Sequence, residues 1–319
     1  MDPAEPQKTK TELEKAIQEF LEYLEVERSV SPLTVRNYSH YLHRLSTFLK
    51  SQNKDRLADI NQDIVQNYRL YLSRLTNRKG SSLSRKTQGY HAIALRSFLR
   101  YLVKTDRQVL APDKIDLPKG ESHSLKFLNG EQMDRLLNAP SLSSVIDKRD
   151  KAILETLFST GLRVSELVSL DRDTVDLDRR EFGIVGKGRR PRVVFLSSRA
   201  GDMIRTYLTA RNDNYKPLFI RHKGKIDPQV SNEEMRLTPR SIQRMVKKYV
   251  RKIKLPVDAT VHSIRHSFAT DLLMAGADLR SVQEMLGHKN VSTTQIYTHI
   301  TNKQLKEVHD AFHGKGGRG

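Results

Sequence analysis

The sequence lacks cysteine entirely. Without cysteine a chain has no disulfide framework, no thiolate nucleophile and no cysteine-ligated zinc. No apolar run reaches the length of a membrane-spanning helix. The polar beginning, "MDPAEPQKTKTELEK", has no apolar segment typical of a signal peptide. These absences predict a protein without a membrane partner and fit a reducing compartment, so we expect a cytoplasmic location.

Acidic residues are scarce relative to basic ones. The chain has 37 Asp and Glu against 56 Lys and Arg, which gives a formal net charge of +19. Such an excess attracts polyanions, and nucleic acid is the first candidate partner. The alternative is a basic surface that serves solubility alone. At 319 residues the chain is long for one domain, so two domains are expected.

Residues 1–111 are predicted to form a helical domain. Apolar residues recur at helical spacing in four segments joined by short turns, which is typical of a small bundle. The second helix should begin at Ser31 with Pro32 in its first turn, the third after Asn61 and the fourth near Ser84. Basic residues occupy the opposite faces, where each alone is an ordinary solvated side chain. Together they favour contacts with DNA phosphates, and we assign this role to Arg36, Arg44, Arg85 and Lys86.

Residues 112–126 combine Pro, Gly, Ser and charge without periodicity, which is typical of a linker. Residues 127–319 then form a mixed domain in which helices surround two short strands, about 181–185 and 192–196. Glycines should end three of the helices: Gly161, Gly276 and Gly287. The expected fold class is therefore mainly α with a small β-sheet.

The segment "HSIRHSFAT" places His262, Arg265 and His266 on one face of a helix, because they stand at i, i+3 and i+4. These side chains offer several donors to one anionic group. The alternatives are a structural role, with Arg265 in a helix salt bridge, and a metal site. Metal ranks third, because no carboxylate stands nearby as a further ligand and the arginine would repel a cation.

Two further basic motifs are weak individually. In "STGLRVSEL", Arg163 follows a glycine turn at the start of a helix, where an anion is favoured, and Glu166 can hold its guanidinium. The alternative is a plain i, i+3 ion pair. In "GKGRRPR", Lys187 lies between two glycines at the hairpin tip, within reach of a phosphate, although an exposed turn lysine is the usual case.

The stretch "LGHKNVSTTQIYTH" contains His288 and Tyr297. Ser292 and Gln295 form a potential capping box, which would place Tyr297 in the first turns of a helix. A lone tyrosine on a helix is far more often a packing residue than a nucleophile. Tyrosine has an unperturbed pKa of about 10, so an attacking tyrosine needs nearby cations or a proton acceptor.

In their joint order these motifs resemble the tyrosine recombinases, the phage-integrase and Xer-like family. The resemblance covers nearly the whole chain, since "SPLTVRNYSHYLHRL" is similar to the N-terminal core-binding helices of that family. It implies a SAM-like helical bundle and a catalytic domain that close around DNA as a clamp. The implied activity is site-specific recombination through a covalent 3′-phosphotyrosine intermediate, as in chromosome dimer resolution or mobile-element integration. The alternatives are topoisomerase IB-like relaxation and DNA binding without chemistry.

The resemblance also implies a role for each site residue. Tyr297 would be the nucleophile, and Lys187 the general acid for the departing 5′-hydroxyl. Arg163, Arg265 and His288 would bind the scissile phosphate. The remaining positions are His262, which would assist in proton transfer and phosphate contact, and the supporting residues Glu166 and His266. Apart from the resemblance, the basic hairpin turn and the basic face of the helix after Thr238 predict further DNA contacts from Arg189, Arg190, Arg192, Arg240 and Arg244.

Two guanidiniums can neutralise a phosphodiester without a metal, so no metal and no cofactor is expected. The expected partners are a double-stranded recombination site and a homo-tetramer, a dimer of dimers, on that DNA. A partner recombinase or an activator protein is a further candidate partner, and the sequence leaves open whether one is required. The tail "TNKQLKEVHDAFHG" carries apolar residues on one side, and the resemblance implies that such a helix docks on the neighbouring protomer, the alternative being packing in cis.

Overall fold

The chain divides into two units, Met1–Ser122 and His123–Gly319. In this computed structural model, residues 10–76, 80–117, 127–186, 191–222, 231–256 and 258–287 are described. The boundary between the units falls inside the predicted linker. The beginning of that segment differs from a linker, because Pro112–Lys114 forms a turn of 3-10 helix and Ile115 is 1% exposed in the N-terminal core. Burial of such a side chain stabilises by about 1.5–3 kcal/mol, which ties residues 112–115 to the N-terminal unit.

The N-terminal unit contains the four predicted helices within its described residues. They are α1 Glu12–Val26, α2 Pro32–Lys50, α3 Gln62–Arg74 and α4 Arg85–Lys104. The last three begin directly after Ser31, Asn61 and Ser84, and each of these side chains accepts a hydrogen bond from the amide three residues on. The side chain thereby satisfies one of the donors that a helix start leaves unpaired. Local sequence thus set these helix starts.

Aromatic and aliphatic side chains from all four helices form the core of this unit. Phe20 of α1 and Phe98 of α4 are fully buried, with ring centroids 5.5 Å apart. Such aromatic pairs add about 0.5–1.5 kcal/mol beyond the burial of their area. The apolar stripes are therefore core, and the polar faces of the helices remain outside.

The C-terminal unit is a helical domain with one hairpin among its described residues. The strands are β1 Glu181–Val185 and β2 Pro191–Phe195, antiparallel, with Ile184 opposite Arg192. The second strand starts one residue earlier than predicted. The described helices are α5 Gly130–Leu137, α6 Val145–Thr160, α7 Val164–Val168, α8 Ser198–Ala210, α9 Asn232–Met235, α10 Pro239–Lys252, α11 Val261–Met274 and α12 Leu279–Leu286.

Helix α8 was not predicted from the sequence, nor was the single turn α9. Helix α8 packs against α6, and Ile204 and Tyr207 are fully buried in the core. Ser197 caps its first turn by accepting from the amide of Ala200. The signal was present as a capping serine followed by apolar residues at helical spacing.

Three glycines follow helix ends as the sequence predicts, and the one after α11, Gly276, has φ +95° directly after the C-cap Ala275. Gly161 follows α6 with φ +59° and Gly287 follows α12 with φ +63°, both in the left-handed region that favours glycine. At Gly161 an added Cβ would overlap the Phe268 ring and lie 3.0 Å from Leu286 Cδ2. Gly161 therefore allows α11 and the end of α12 to approach the turn between α6 and α7.

Helix α10 is fixed to α6 through a buried hydroxyl. Tyr249 Oη donates to Asp150 Oδ2 over 3.1 Å, and both residues are buried. Because Tyr249 lies on the inner side of α10, the basic residues on the opposite side face outward. Of the described helices, none is both long and apolar enough to cross a bilayer.

Candidate active site

Helix α11 presents Arg265 inward, where it is 5% exposed. Its Nη1 donates to the carbonyl of Gly161 and its Nη2 to the carbonyl of Leu286, each over 2.6 Å. The predicted alternative, a salt bridge within the helix, is not among these contacts. Both carbonyls lie at helix C-termini, where backbone acceptors are unsatisfied and carry partial negative charge. Arg265 thus joins the ends of α6 and α12.

Arg163 occupies the N-cap position of α7, at the helix start that the sequence predicts. Its backbone amide donates to Glu166 Oε2 over 2.9 Å, and its Nη1 donates to Glu166 Oε1 over 2.8 Å. Its Nη2 donates to the carbonyl of Gly287 over 3.2 Å. The side chain is 29% exposed, so it is held at its base and still open to solvent.

The two arginines are brought together by the end of α12. Arg265 binds the carbonyl of Leu286 and Arg163 binds the next carbonyl, that of Gly287. Their guanidiniums therefore converge at one point, although the residues are about a hundred positions apart in the sequence. Two adjacent guanidiniums suit one doubly coordinated anion such as a phosphodiester.

His262 adds a titratable group to this point. It is exposed, yet partial desolvation lowers its pKa, with further lowering by the positive charges of Arg265 and then Arg163. Neutral imidazole is consequently favoured, and this form can accept a proton. Both predicted arginines and His262 thus belong to one electrostatic site.

His266, the predicted supporting residue, lies beneath His262. Its ring is 7% exposed, and the two Nε2 atoms are 2.8 Å apart. One ring must donate and the other accept at this distance, so the pair does not hold two imidazolium ions facing each other. His266 therefore helps fix the orientation of the His262 ring.

Glu166 is the predicted partner of Arg163, and it has a second partner that was not predicted. Arg192 of β2 donates Nη1 to Oε1 over 3.2 Å and Nη2 to Oε2 over 2.9 Å. Burial alone would raise the pKa of Glu166. The hydrogen bonds from Arg192 and from the backbone and guanidinium of Arg163 outweigh burial, and the pKa lies below its usual value. Glu166 is therefore a buried carboxylate that serves two guanidiniums.

This contact corrects the expectation for Arg192. The sequence places it among the DNA contacts, but its side chain is 12% exposed and paired with Glu166. A guanidinium that is hydrogen-bonded to a buried carboxylate in this way is largely shielded from solvent. Sequence reasoning counted it as one more charge of a basic hairpin, since burial is not visible in a charge run.

Several predicted site residues lie outside the described residues, and their roles remain predictions. They are Lys187, Arg189, Arg190, His288 and Tyr297, together with the Ser292–Gln295 capping box and the tail. Gly287, the last described residue, directly precedes His288 in the sequence. Within the described part of the chain, no group of His, Cys, Asp and Glu could hold a metal ion.

The predicted DNA contacts of the N-terminal unit differ in exposure. Arg36, Arg85 and Lys86 are exposed. Arg44 is half-buried, and its Nη1 lies 3.3 Å from Nε2 of the buried His91. The other ring nitrogen, Nδ1, lies 3.0 Å from Tyr68 Oη. Arg44 is thus held by a buried polar pair that the sequence pattern did not indicate.

The predicted contacts of α10, Arg240 and Arg244, are both exposed. They stand one helical turn apart on the side opposite the buried Tyr249. The same outward side continues with Lys247 and Arg251, which are exposed as well. This row of cations is suited to a phosphate backbone.

Sequence reasoning missed the acceptors that hold the two arginines. Gly161 and Gly287 were recognised only as helix ends. The signal that could have found them is the set of carbonyls that every helix C-terminus leaves unsatisfied. Which side chains reach those carbonyls depends on tertiary packing, so spacing along the chain does not reveal it.

Comparison with protein families supports the predicted fold and domain types. The model described as "Phage integrase family" matches residues 126–304, and "Phage integrase, N-terminal SAM-like domain" matches residues 17–106. The predicted fold class, a SAM-like helical domain followed by a mixed catalytic domain, is thereby confirmed.

Curated relatives match over nearly their full length. Tyrosine recombinase XerC of Pelotomaculum thermopropionicum is 36% identical over 301 residues, covering 93% of this chain and 97% of that protein. Tyrosine recombinase XerD of Lacticaseibacillus casei is 35% identical over 302 residues, covering 94% and 99%. The solved structure of the XerH site-specific recombinase bound to palindromic difH substrate, a post-cleavage complex, has a TM-score of 0.67 at 22% identity, covering 92% of this chain and 83% of that one. This last likeness concerns the fold.

Proposed function

Because the chain belongs to the phage integrase family and is a tyrosine-type DNA strand transferase, we propose that it recombines DNA through a phosphotyrosine on Tyr297. The observation that carries the proposal is the convergence of Arg163, Arg265 and His262 at the end of α12. This point directly precedes the segment that contains His288 and Tyr297.

The arginines provide the electrostatic part of the reaction. A phosphodiester repels a nucleophile until its charge is neutralised, and Arg163 and Arg265 would bind the non-bridging oxygens. Because backbone carbonyls and Glu166 already hold both guanidiniums, little reorganisation is needed when charge develops in the transition state. His288 would donate a further hydrogen bond to the same phosphate. No step in this scheme calls for a metal ion.

The proton transfers fall to His262 and Lys187. As Tyr297 Oη forms its bond to phosphorus, His262 would assist removal of the phenolic proton, for which its lowered pKa is suited. The bond from phosphorus to the 5′-oxygen breaks, and Lys187 would protonate that oxygen. The product is a 3′-phosphotyrosine and a free 5′-hydroxyl. Attack by a 5′-hydroxyl from another duplex reverses these steps and joins new ends without ATP.

The DNA would be held by the exposed basic faces. We propose contacts from Arg36, Arg85 and Lys86 in the N-terminal unit and from Arg240 and Arg244 in the C-terminal unit. The two units would close on the duplex as a clamp through the linker. Cleavage of the chain within residues 118–126 should then lower DNA affinity, whereas unchanged binding by one separated unit would contradict the clamp.

Recombination joins two duplexes, so the working species is proposed to be a homo-tetramer on DNA, with a partner recombinase or an activator protein as a further component. An apolar groove of about 360 Å³ in the C-terminal unit offers a docking site for an apolar helix, since Phe195 is 59% and Met285 42% exposed beside it. The apolar side of the tail, with Leu305, Val308 and Phe312, is its proposed occupant. We propose that the protein acts in the cytoplasm.

The decisive test uses a nicked duplex that carries the native recombination site, so that cleavage traps the covalent product. Wild type and Tyr297→Phe are run side by side on denaturing gels. An adduct with wild type alone is expected. Equal binding without an adduct in either protein would contradict the proposal. Strand exchange between two duplexes would then distinguish recombination from relaxation of a single duplex.

A further inference from the structure

Arg192 joins three elements of the C-terminal unit. It projects from β2, makes two hydrogen bonds to Glu166 of α7, and lies against Gly287 at the end of α12. An added Cβ on Gly287 would come within 2.8 Å of Arg192 Nη1, which shows how closely that backbone covers the guanidinium. Gly287 also supplies the carbonyl that holds Arg163.

The carboxylate of Glu166 is shared between two guanidiniums. Oε1 accepts from Arg163 Nη1 over 2.8 Å and from Arg192 Nη1 over 3.2 Å. Oε2 accepts from Arg192 Nη2 and from the amide of Arg163, each over 2.9 Å. Because Glu166 is only 7% exposed, water does not compensate for a lost partner. The position of each arginine therefore depends on the other.

Hydrogen bonds to Glu166 keep the Arg192 guanidinium in place. Its Nε is buried and has no acceptor among the described residues, so the fork of Nη1 and Nη2 carries the contact. A lysine at this position would keep the charge but could not bind both carboxylate oxygens in the same plane. Glu166 would then turn towards its remaining guanidinium and draw Arg163 away from the carbonyl of Gly287.

We infer that Arg192 is a positioning residue for phosphate binding by Arg163, and that it acts through the shared carboxylate of Glu166. The inference rests on the proposed function, in which Arg163 binds the scissile phosphate. It gives Arg192 a role in catalysis without contact to DNA. Displacement of a phosphate-binding group by about 1 Å can slow a reaction by about 10²-fold, and a smaller displacement in Arg192→Lys should still slow it by at least about 10-fold.

The test measures the single-turnover rate of covalent adduct formation on the nicked substrate. Arg192→Lys is compared with Arg236→Lys, a matched control. Arg236 is similarly buried, 15% exposed, and pairs with Asp171 over 2.8 Å, but its hydrogen bonds within the described part of the chain do not reach Arg163, His262 or Arg265. DNA affinity and denaturant unfolding are measured for each protein. We expect a loss of at least about 10-fold in rate for Arg192→Lys alone, with unchanged affinity and with stability within the range of the control.

A second readout separates positioning from a general structural role. If Arg192 acts through Arg163, its substitution should add little to the loss caused by Arg163→Lys, so the double variant should be almost as active as Arg163→Lys alone. Rate losses that multiply in the double variant would overturn the inference, as would equal losses in Arg192→Lys and Arg236→Lys.

Arg192→Gln serves as a second variant in case the lysine disturbs folding. If neither variant folds, Arg192 is required for the fold itself, and the inference is likewise overturned. Failure of the proposed function has a different signature, because wild type would then form no adduct dependent on Tyr297. A Tyr297-dependent adduct together with a control-like Arg192→Lys would overturn the inference alone.

Discussion

Protonation of His91 should destabilise the N-terminal unit in mildly acidic solution. The ring is 1% exposed and lies between the Arg44 guanidinium and the Tyr68 hydroxyl. Burial, reinforced by the neighbouring charge of Arg44, lowers the pKa of His91 from 6.5 to about 4. At a pH between these two values, His91 therefore binds a proton in the unfolded chain but not in the folded chain.

The sign and size of the effect follow from these two pKa values. Above pH 6.5 the histidine is neutral in both states and imposes no penalty. Between pH 6.5 and 4 only the unfolded chain binds the proton, so the free energy of unfolding falls as the pH falls. The loss at pH 5 is about 2 kcal/mol, and the full loss below pH 4 is about 3 kcal/mol.

The assay compares wild type with His91→Gln, whose amide can still donate and accept in the same place but does not titrate. The full chain is unfolded in urea, and hydrogen exchange of peptides from α4 is used to monitor unfolding of the unit that holds His91. Between pH 7.5 and 5 the wild type should lose about 2 kcal/mol more than His91→Gln. His222→Gln is the control, because burial lowers that pKa to about 4 in the other unit. Equal pH dependence in wild type and His91→Gln would refute the reasoning.

Three further substitutions have definite expected outcomes. Gly161→Ala should lower the free energy of unfolding by about 2 kcal/mol or more, because the residue has φ +59° and the new Cβ would overlap the Phe268 ring. Denaturant unfolding measures this loss, and Gly183→Ala is the control because nothing lies within 4 Å of its new Cβ. Glu166→Gln should slow adduct formation by at least about 10-fold with little change in DNA affinity, since two guanidiniums would lose their shared charge; a normal rate would contradict the role of Glu166. Arg240→Gln should reduce the slope of log affinity against log salt by about 1, measured by titration at several salt concentrations, and an unchanged slope would remove it from the DNA interface.

The sequence predicted those features of the fold that depend on neighbouring residues. Ser31 and Asn61 cap helices because a short polar side chain can reach an amide three residues on. Gly161 and Gly287 end helices because glycine adopts positive φ without strain. Helix α8 was missed although Ser197 carried the same kind of signal, since no motif drew attention to that segment.

The sequence predicts which residues form the candidate site, but it does not predict how their side chains are arranged or which groups hold them. Motif order alone identifies Arg163, Arg265 and His262 as members of one site. Glu166, three residues from Arg163, was predicted as its partner, but the backbone carbonyls that hold both arginines are remote in sequence, as in the 104 positions between Arg265 and Gly161. For Arg192 the sequence predicted the wrong environment, because the position of an arginine in a basic run does not indicate whether packing will bury its side chain.

The contacts of the two arginines proposed to bind the phosphate are also not distinctive by themselves. Arg211 is fully buried and donates to three backbone carbonyls, and Arg236, 15% exposed, donates to two; each also has an ion pair. A guanidinium has five donors and no acceptor, so it suits any place where carbonyls collect. Burial and carbonyl contacts would therefore select structural and catalytic arginines alike. What separates Arg163 and Arg265 is that both reach consecutive carbonyls of one helix end, with His262 within electrostatic reach of each. Convergence of independent groups on one point, and not the environment of any single arginine, is the evidence for the site.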